Sequence, residues 1–276
     1  MKIGIGLPVD DPEVLLDWAA RADAGPFSTL GLLDRLVWHN PEPLVTLAVL
    51  AGATTRIRLQ TEVLLAPLRA TALLGSQVAT LDRLSGGRFT LGLGIGGRDD
   101  DFAAAGVDPR GKGARLDAQL RDLRAQWAGE TGVGPAPLRP RGPEILLGAF
   151  RPAALARVAR FGDGLLCAAP PSWAGPLFET VARSWASAGR SGEPRNVAQV
   201  NVALGPPAVV DAARASMRAY YGFTGDADRM VSGLLTSADA VRGAASAFAD
   251  MGVDELVCYC WATDPSQLER VADLGL

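Results

Sequence analysis

The chain has 276 residues, a formal net charge of −3 at pH 7, and is 48% hydrophobic and 21% charged. This length suits one large α/β domain, and the slightly acidic balance argues against nucleic acid or an anionic membrane as a partner. The three cysteines lack metal-ligand spacing, and no apolar run reaches the length of a membrane-spanning helix.

Strand and helix patterns then alternate along the whole chain. Apolar strand-like runs lie at 2–7, 27–33, 57–65, 89–93, 144–147, 164–168, 197–203 and 253–259. Segments with helical periodicity follow them, beginning near 11, 43, 73, 116, 152, 173, 207, 238 and 265. Eight strands alternating with helices predict an α/β fold, a (β/α)8 TIM barrel.

No linker divides the pattern, so we predict a single domain over 1–276. Loop excursions are expected near 98–113, 129–142 and 222–236. The first of these is acidic, then rich in glycine, and without periodicity. It is interpreted as a lid or insertion that follows a strand.

The most informative stretch is the strand–helix–strand unit between Thr55 and Gly97, which ends in LGLGIGG. Glycines such as Gly94, Gly96 and Gly97 leave a strand end almost without side chains, so a flat ligand can lie against the backbone. The same glycines are equally consistent with a crowded barrel wall. They do not match the dinucleotide-binding fingerprint, whose glycines open a helix.

The segment RIRLQTEVL followed by PLRATALLGSQVATLDRLSGGRFTLGLGIGG resembles the signature block of the bacterial luciferase-like monooxygenase family. The part LDRLSGGR, Leu81 to Arg88, is the most specific. The resemblance implies a TIM barrel and either FMN or the deazaflavin coenzyme F420 as cofactor. It also implies a homodimer.

In a (β/α)8 barrel, ligands bind at the carboxyl ends of the strands. After the fifth strand, Gly148, Ala149, Phe150 and Arg151 lead into a helix that begins at Pro152. The free N–H groups of that helix start, together with Arg151, predict an anion site. By the family resemblance this loop holds the cofactor phosphate, although the serine frequent there in relatives is missing. A plain turn with a surface arginine is the alternative.

Thr61, Glu62 and Val63 end the third strand. Family members often carry a non-proline cis peptide here, behind the flavin ring, and the resemblance places it at Glu62–Val63. A buried carboxylate needs a partner, which Arg35 or Arg69 is expected to supply. Both a structural ion pair and a catalytic acid stay open for Glu62.

Asp34 and Arg35 follow the second strand, where relatives commonly have Asp–His with the histidine at the active centre. Arginine replaces that histidine here. The chain's single histidine, His39, lies four residues further on, and Trp38 is a candidate wall of the pocket. We assign Arg35 and His39 to catalysis and Asp34 and Trp38 to the substrate pocket, with exposed or core packing as the alternative for His39 and Trp38.

The resulting hypothesis is a cytoplasmic flavin- or deazaflavin-dependent oxidoreductase. It would transfer a hydride or an oxygen atom to a small organic substrate, because the cofactor supplies the difficult chemistry. One rival is a degenerate barrel that binds flavin without catalysis, which the missing histidine favours. Another is a sugar-phosphate enzyme on the same fold, but the last two strand ends lack the glycine-rich loop that it needs.

Overall fold

The computed structural model describes residues 1–8 and 11–276. Within them the sheet contains β1 Lys2–Gly6, β2 Thr29–Leu32, β3 Arg58–Thr61, β4 Leu64–Leu65, β5 Phe89–Gly94, β6 Glu144–Gly148, β7 Gly164–Cys167, β8 Arg195–Val202 and β9 Glu255–Cys260. All neighbouring strands run parallel, in the order β3-β2-β1-β9-β8-β7-β6-β5-β4. An additional pairing of β3 with β5, Leu59 opposite Phe89, closes the barrel. The predicted TIM barrel is therefore confirmed.

Helices cover the outside of this barrel. They are α1 Leu15–Ala24, α2 Pro43–Ala53, α3 Thr71–Leu84, α4 Asp99–Ala104, α5 Lys112–Trp127, α6 Pro152–Phe161, α7 Pro171–Ser187, α8 Pro207–Tyr221, α9 Ala227–Ser232, α10 Ala238–Asp250 and α11 Ser266–Ala272. Proline occupies the first turn of α2, α6, α7 and α8, where its missing N–H costs no hydrogen bond. No helix in the described part of the chain is long and apolar enough to cross a membrane.

Two predictions of local structure were wrong. The third strand does not run unbroken to Leu65, because it stops at Thr61 and the chain resumes pairing only at Leu64. The segment 98–113 is not without regular structure, because it contains α4, and its interpretation as a lid or insertion stays a prediction. Three aspartates lie in the first turn of α4, where their negative charge interacts favourably with the positive end of the helix dipole. The fully buried Phe102 anchors the helix.

The interior of the barrel has an apolar layer and a charged end. Leu146, Leu166, Val197 and Val257 form the apolar layer, with Val63 packed against it. At the amino ends of the strands, Arg195 forms ion pairs with Glu144 and Glu255, and Arg58 pairs with Glu144. These paired charges plug one end of the barrel, so a ligand site is left to the opposite end.

The segment Leu81–Arg88, which carries the family resemblance, has a structural role here. Gly86 and Gly87 adopt positive φ angles of 64° and 81° after α3. The guanidinium of Arg88 donates hydrogen bonds to the carbonyls of Ala51, Thr54 and Ile57, at 2.8 to 3.0 Å. Arg88 thereby satisfies orphan carbonyls at the end of α2 and fixes the entry to β3.

Candidate active site

The carboxyl end of β3 is shaped by a cis peptide between Glu62 and Val63, as the family resemblance predicted. Thr61 Oγ1 donates a hydrogen bond of 2.7 Å to the carbonyl oxygen of Gly92, so the strand end is tied to β5. A Cβ on Gly92 would lie 1.9 Å from the Thr61 carbonyl oxygen. The two strands therefore approach closely only because glycine stands at this position.

Val63 forms a shelf between two glycines on neighbouring strands. A Cβ on Gly94 would lie 2.5 Å from Val63 Cγ2, and a Cβ on Gly148 would lie 3.3 Å from Val63 Cγ1. Gly97 and Ala168 beside the shelf are exposed, and a Cβ on Gly97 would meet no heavy atom within 4 Å. Both neighbouring strands therefore present a glycine to the side chain of Val63.

Glu62 is buried, and the ion pair expected for it with Arg35 or Arg69 is wrong. Its Oε1 accepts a hydrogen bond of 2.5 Å from Gln60 Nε2, while Oε2 has no partner among the described residues. Its carboxyl group occupies the space that a side chain at Gly31 would fill. Burial raises the pKa of Glu62 to about 8. The hydrogen bond from Gln60 lowers the pKa but does not offset the effect of burial.

Arg69 pairs instead with Asp34 and Glu42, at 2.8 and 2.7 Å. Asp34 Oδ2 also accepts the backbone N–H of Leu65 at 2.9 Å. Burial raises the pKa of Asp34, and the guanidinium of Arg69 opposes that rise. Asp34 thus fixes the chain after the cis peptide, and its side chain is engaged on the outer side of the shelf.

Arg35 is buried and pairs with an acid that the sequence did not single out. Its Nε lies 2.8 Å from Asp101 Oδ2, and its Nη2 donates to the Val37 carbonyl oxygen at 2.8 Å. Asp101 Oδ1 accepts the backbone N–H groups of Leu36 and Val37. The pair therefore connects the loop after β2 to α4.

An aromatic cluster covers the other half of the rim. We use this term for Trp38, Tyr220, Tyr221, Tyr259 and Trp261, whose neighbouring rings lie 4.9 to 6.2 Å apart. Trp38 is half-buried in it, as expected of a pocket wall. Two of its members, Tyr259 and Trp261, belong to the end of β9 and the residue that follows it.

Two arginines lie against this cluster, and the histidine stands at its edge. The guanidinium carbons of Arg35 and Arg98 lie 5.3 and 5.8 Å from the ring centroid of Tyr220, within cation–π range. His39 is exposed, with its ring 5.6 Å from that of Trp38. Sequence reasoning missed Tyr220 and Tyr221 because they lie at the end of α8, outside the predicted strand ends.

The predicted anion site, from Gly148 to Arg151, lies where β6 ends and α6 begins. Ala149 is buried, whereas Phe150 and Arg151 are exposed beside the start of α6. No side chain caps this helix start, so the first N–H groups of α6 lack a side-chain acceptor. Arg151 is exposed and forms no ion pair within the described part of the chain.

The structure brings Thr61, Glu62, Val63, Gly94 and Gly148 together at one strand end. Gly96 lies next to Phe102 of α4, and Lys112 donates to its carbonyl oxygen at 2.7 Å. Two cavities, of about 160 and 370 Å³, lie elsewhere and are not lined by any predicted site residue. The candidate site is therefore an open shelf and not one of these cavities.

A closed parallel barrel surrounded by helices defines a TIM-barrel protein, a fold whose ligands bind at the carboxyl rim, where the shelf lies. A model of the luciferase-like monooxygenase family matches residues 3–274, and the chain belongs to this family.

Individual relatives agree with that membership. Over 180 residues the chain is 30% identical to an uncharacterised protein of Mycobacterium tuberculosis, a match that covers 60% of this chain and 64% of that protein. It is 30% identical over 176 residues to the F420-dependent glucose-6-phosphate dehydrogenase of Kineococcus radiotolerans, covering 56% of this chain and 52% of that enzyme. Both matches span less than two thirds of the relative's length.

The fold is also shared with a solved structure. A monooxygenase from Streptomyces bottropensis has a TM-score of 0.82 at 22% identity, and the alignment covers 99% of this chain and 97% of that one. At this identity the likeness shows the fold alone.

Proposed function

We propose that this protein is a flavin- or deazaflavin-dependent oxidoreductase that acts on a small organic substrate. The observation that carries the proposal is the shelf at Val63 between Gly94 and Gly148, at the carboxyl rim of a barrel of this family. FMN and F420 are both retained as cofactors, since each combines a planar ring with a phosphate. The bound cofactor would supply the hydride or oxygen chemistry.

The chain's own residues have distinct tasks in this proposal. Val63 supports one face of the ring, with Thr61 holding the strand end in place. Phosphate is bound by the start of α6 and by Arg151. Gly96 and Gly97 keep the edge of the shelf open.

The substrate side is assigned to the aromatic half of the rim. Trp38 and the tyrosines exclude water from that side, and His39 reaches it from the exposed edge. Arg35, which was predicted to be catalytic, is assigned to positioning, because its guanidinium is bound to Asp101. Asp34 positions the chain after Val63 by accepting the backbone N–H of Leu65.

We further propose a cytoplasmic homodimer without nucleic-acid or membrane partners. The apolar helix α2 exposes Val45 and Val49 by 63% and 55%, and Leu73 on α3 is exposed by 61%. These side chains lie on adjacent helices, since α2 packs against α3. Exposed apolar side chains of this kind are typical of an interface between subunits.

A titration followed by a redox cycle tests the proposed function. The purified protein is titrated with FMN and with F420 while absorbance and fluorescence are recorded, then the bound cofactor is reduced. Saturable binding and reoxidation, by air or by an added carbonyl substrate that accepts the hydride, are expected of an enzyme. Binding without any substrate-dependent reoxidation would instead indicate a flavin-binding protein, and no binding would overturn the proposal.

A further inference from the structure

Glu62 is a buried acid without a cation as partner. It is only 7% exposed, and its one hydrogen bond among the described residues comes from the neutral amide of Gln60. Arg35 and Arg69, the two arginines that were expected to pair with Glu62, are bound to Asp101 and to Asp34. An ionised carboxylate that is buried without a counter-ion is strongly disfavoured, so the neutral acid is the stable form here.

The hydrogen bonding agrees with a neutral carboxylic acid. Glu62 Oε1 accepts from Gln60 Nε2, as the carbonyl oxygen of an acid does, while Oε2 is buried and unpartnered. A carboxylate would leave two charged oxygens with a single donor between them. The protonated form needs fewer partners and fits the space beside Gly31.

The charged and titratable groups that face Glu62 come from β8 and β9. Glu255 raises the pKa of Glu62 and Arg195 lowers it, but these two residues are paired with each other. Tyr259 has a pKa raised well above 10 by burial, so it stays neutral over the same range. With burial as the largest cause, the pKa of Glu62 lies at about 8.

Glu62 and Val63 are joined by the cis peptide bond, and their side chains contact different strands. The Glu62 carboxyl fills the space at Gly31 of β2, whereas the Val63 side chain lies between Gly94 and Gly148. A ring docked on Val63 would cover this strand end and further lower the polarity around the Glu62 carboxyl, which is already buried. Loss of water disfavours the charged form of a nearby carboxyl group.

Resting on the proposed function, we infer that Glu62 is a proton-linked positioning residue, whose neutral acid form is required for a planar redox ring to dock on Val63. When Glu62 is ionised before docking, the carboxylate takes up one proton from solvent as the ring binds. The ligand class is the isoalloxazine or deazaisoalloxazine ring. Affinity is then highest below the pKa of Glu62 and falls above it.

The first test uses the ligand-free protein. Because the folded-state pKa of Glu62 is above the unfolded value, the folded state holds its proton longer, and stability falls as pH rises from about 4.5 to about 8. Glu62→Gln has no group to titrate here and should lack this fall. The free energy of unfolding of the variant, relative to that of the wild type, should therefore increase from pH 5 to pH 9. Glu179→Gln, on the exposed face of α7, is the matched control. If the free energy of unfolding changed with pH in the same way in the wild type and in Glu62→Gln, the inference that Glu62 is a neutral acid would be overturned.

The second test measures the dissociation constants of FMN and F420 between pH 6.5 and pH 9.5. For the wild type, Kd should rise by about tenfold per pH unit above the pKa, while Glu62→Gln should lack this added rise. Equal pH profiles for the two proteins would overturn the coupling. If neither cofactor binds but the stability difference is present, the proposed function and the coupling both fail, and only the neutral acid stands.

Discussion

Arg35 Nε and Asp101 Oδ2 form a buried ion pair of 2.8 Å, with side chains exposed by only 3% and 1%. The pair replaces the histidine arrangement that relatives are expected to carry at the second strand. It connects the loop that bears Trp38 to α4. The arginine at this position therefore holds the loop after β2 against α4.

Removal of that guanidinium is expected to be costly. Arg35→Ala leaves Asp101 buried without its cation, which should lower the free energy of unfolding by about 3–5 kcal/mol. Arg183→Ala, which breaks an exposed pair with Glu179, is the control and should cost under about 0.5 kcal/mol. Urea unfolding of both variants measures the difference. Equal small losses would show that the Arg35 pair is not buried in solution.

A side chain added to the shelf should block the ring. In Gly148→Leu the new atoms lie over Val63, because even a Cβ would stand 3.3 Å from Val63 Cγ1. We expect FMN and F420 to bind at least about tenfold more weakly, with the fold retained by circular dichroism. Gly243→Ala on α10, where a Cβ meets nothing within 4 Å, is the control. Wild-type affinity in Gly148→Leu would remove the shelf from the site.

A comparison of FMN with riboflavin tests whether Arg151 binds the cofactor phosphate. Arg151→Ala should weaken FMN binding by about tenfold, since a charge-assisted contact is lost. Riboflavin, which has the same ring without phosphate, should bind both proteins equally, and Arg183→Ala should bind FMN as the wild type does. An equal effect on FMN and riboflavin would show that Arg151 does not hold the phosphate.

The proposed homodimer predicts a doubled mass. Sedimentation or light scattering should give twice the chain mass of 28.8 kDa. Val45→Glu together with Val49→Glu should give the single mass, because two charges enter an apolar contact. Leu16→Glu, on the exposed face of α1, should leave the dimer intact. A dimer that persists in the double variant would exclude the α2 face.

The fold was predictable because each strand and helix carries its own apolar pattern. Helix α6 begins at Pro152 and ends at Phe161, as the sequence predicts. In contrast, α4 was missed because six residues with three aspartates have no readable period. Contacts between distant segments were also missed, since no local pattern indicates that Tyr220 lies against Arg35.

In the candidate site, too, local patterns were predictable and contacts between distant segments were not. The glycine-rich end of β5 and the start of α6 are visible in the sequence, and the cis peptide followed from family resemblance. The partner of Glu62 was predicted wrongly because both candidate arginines pair with other acids, Asp101 and Asp34. Which of several acids an arginine binds depends on packing that the sequence alone does not specify.

A crystal structure of the protein with FMN or F420 tests the central claim most directly. We expect the ring to lie on Val63 between Gly94 and Gly148, with the phosphate at the start of α6 beside Arg151. A ring bound anywhere else, or a rim that closes over Val63 and excludes the ring, would contradict it.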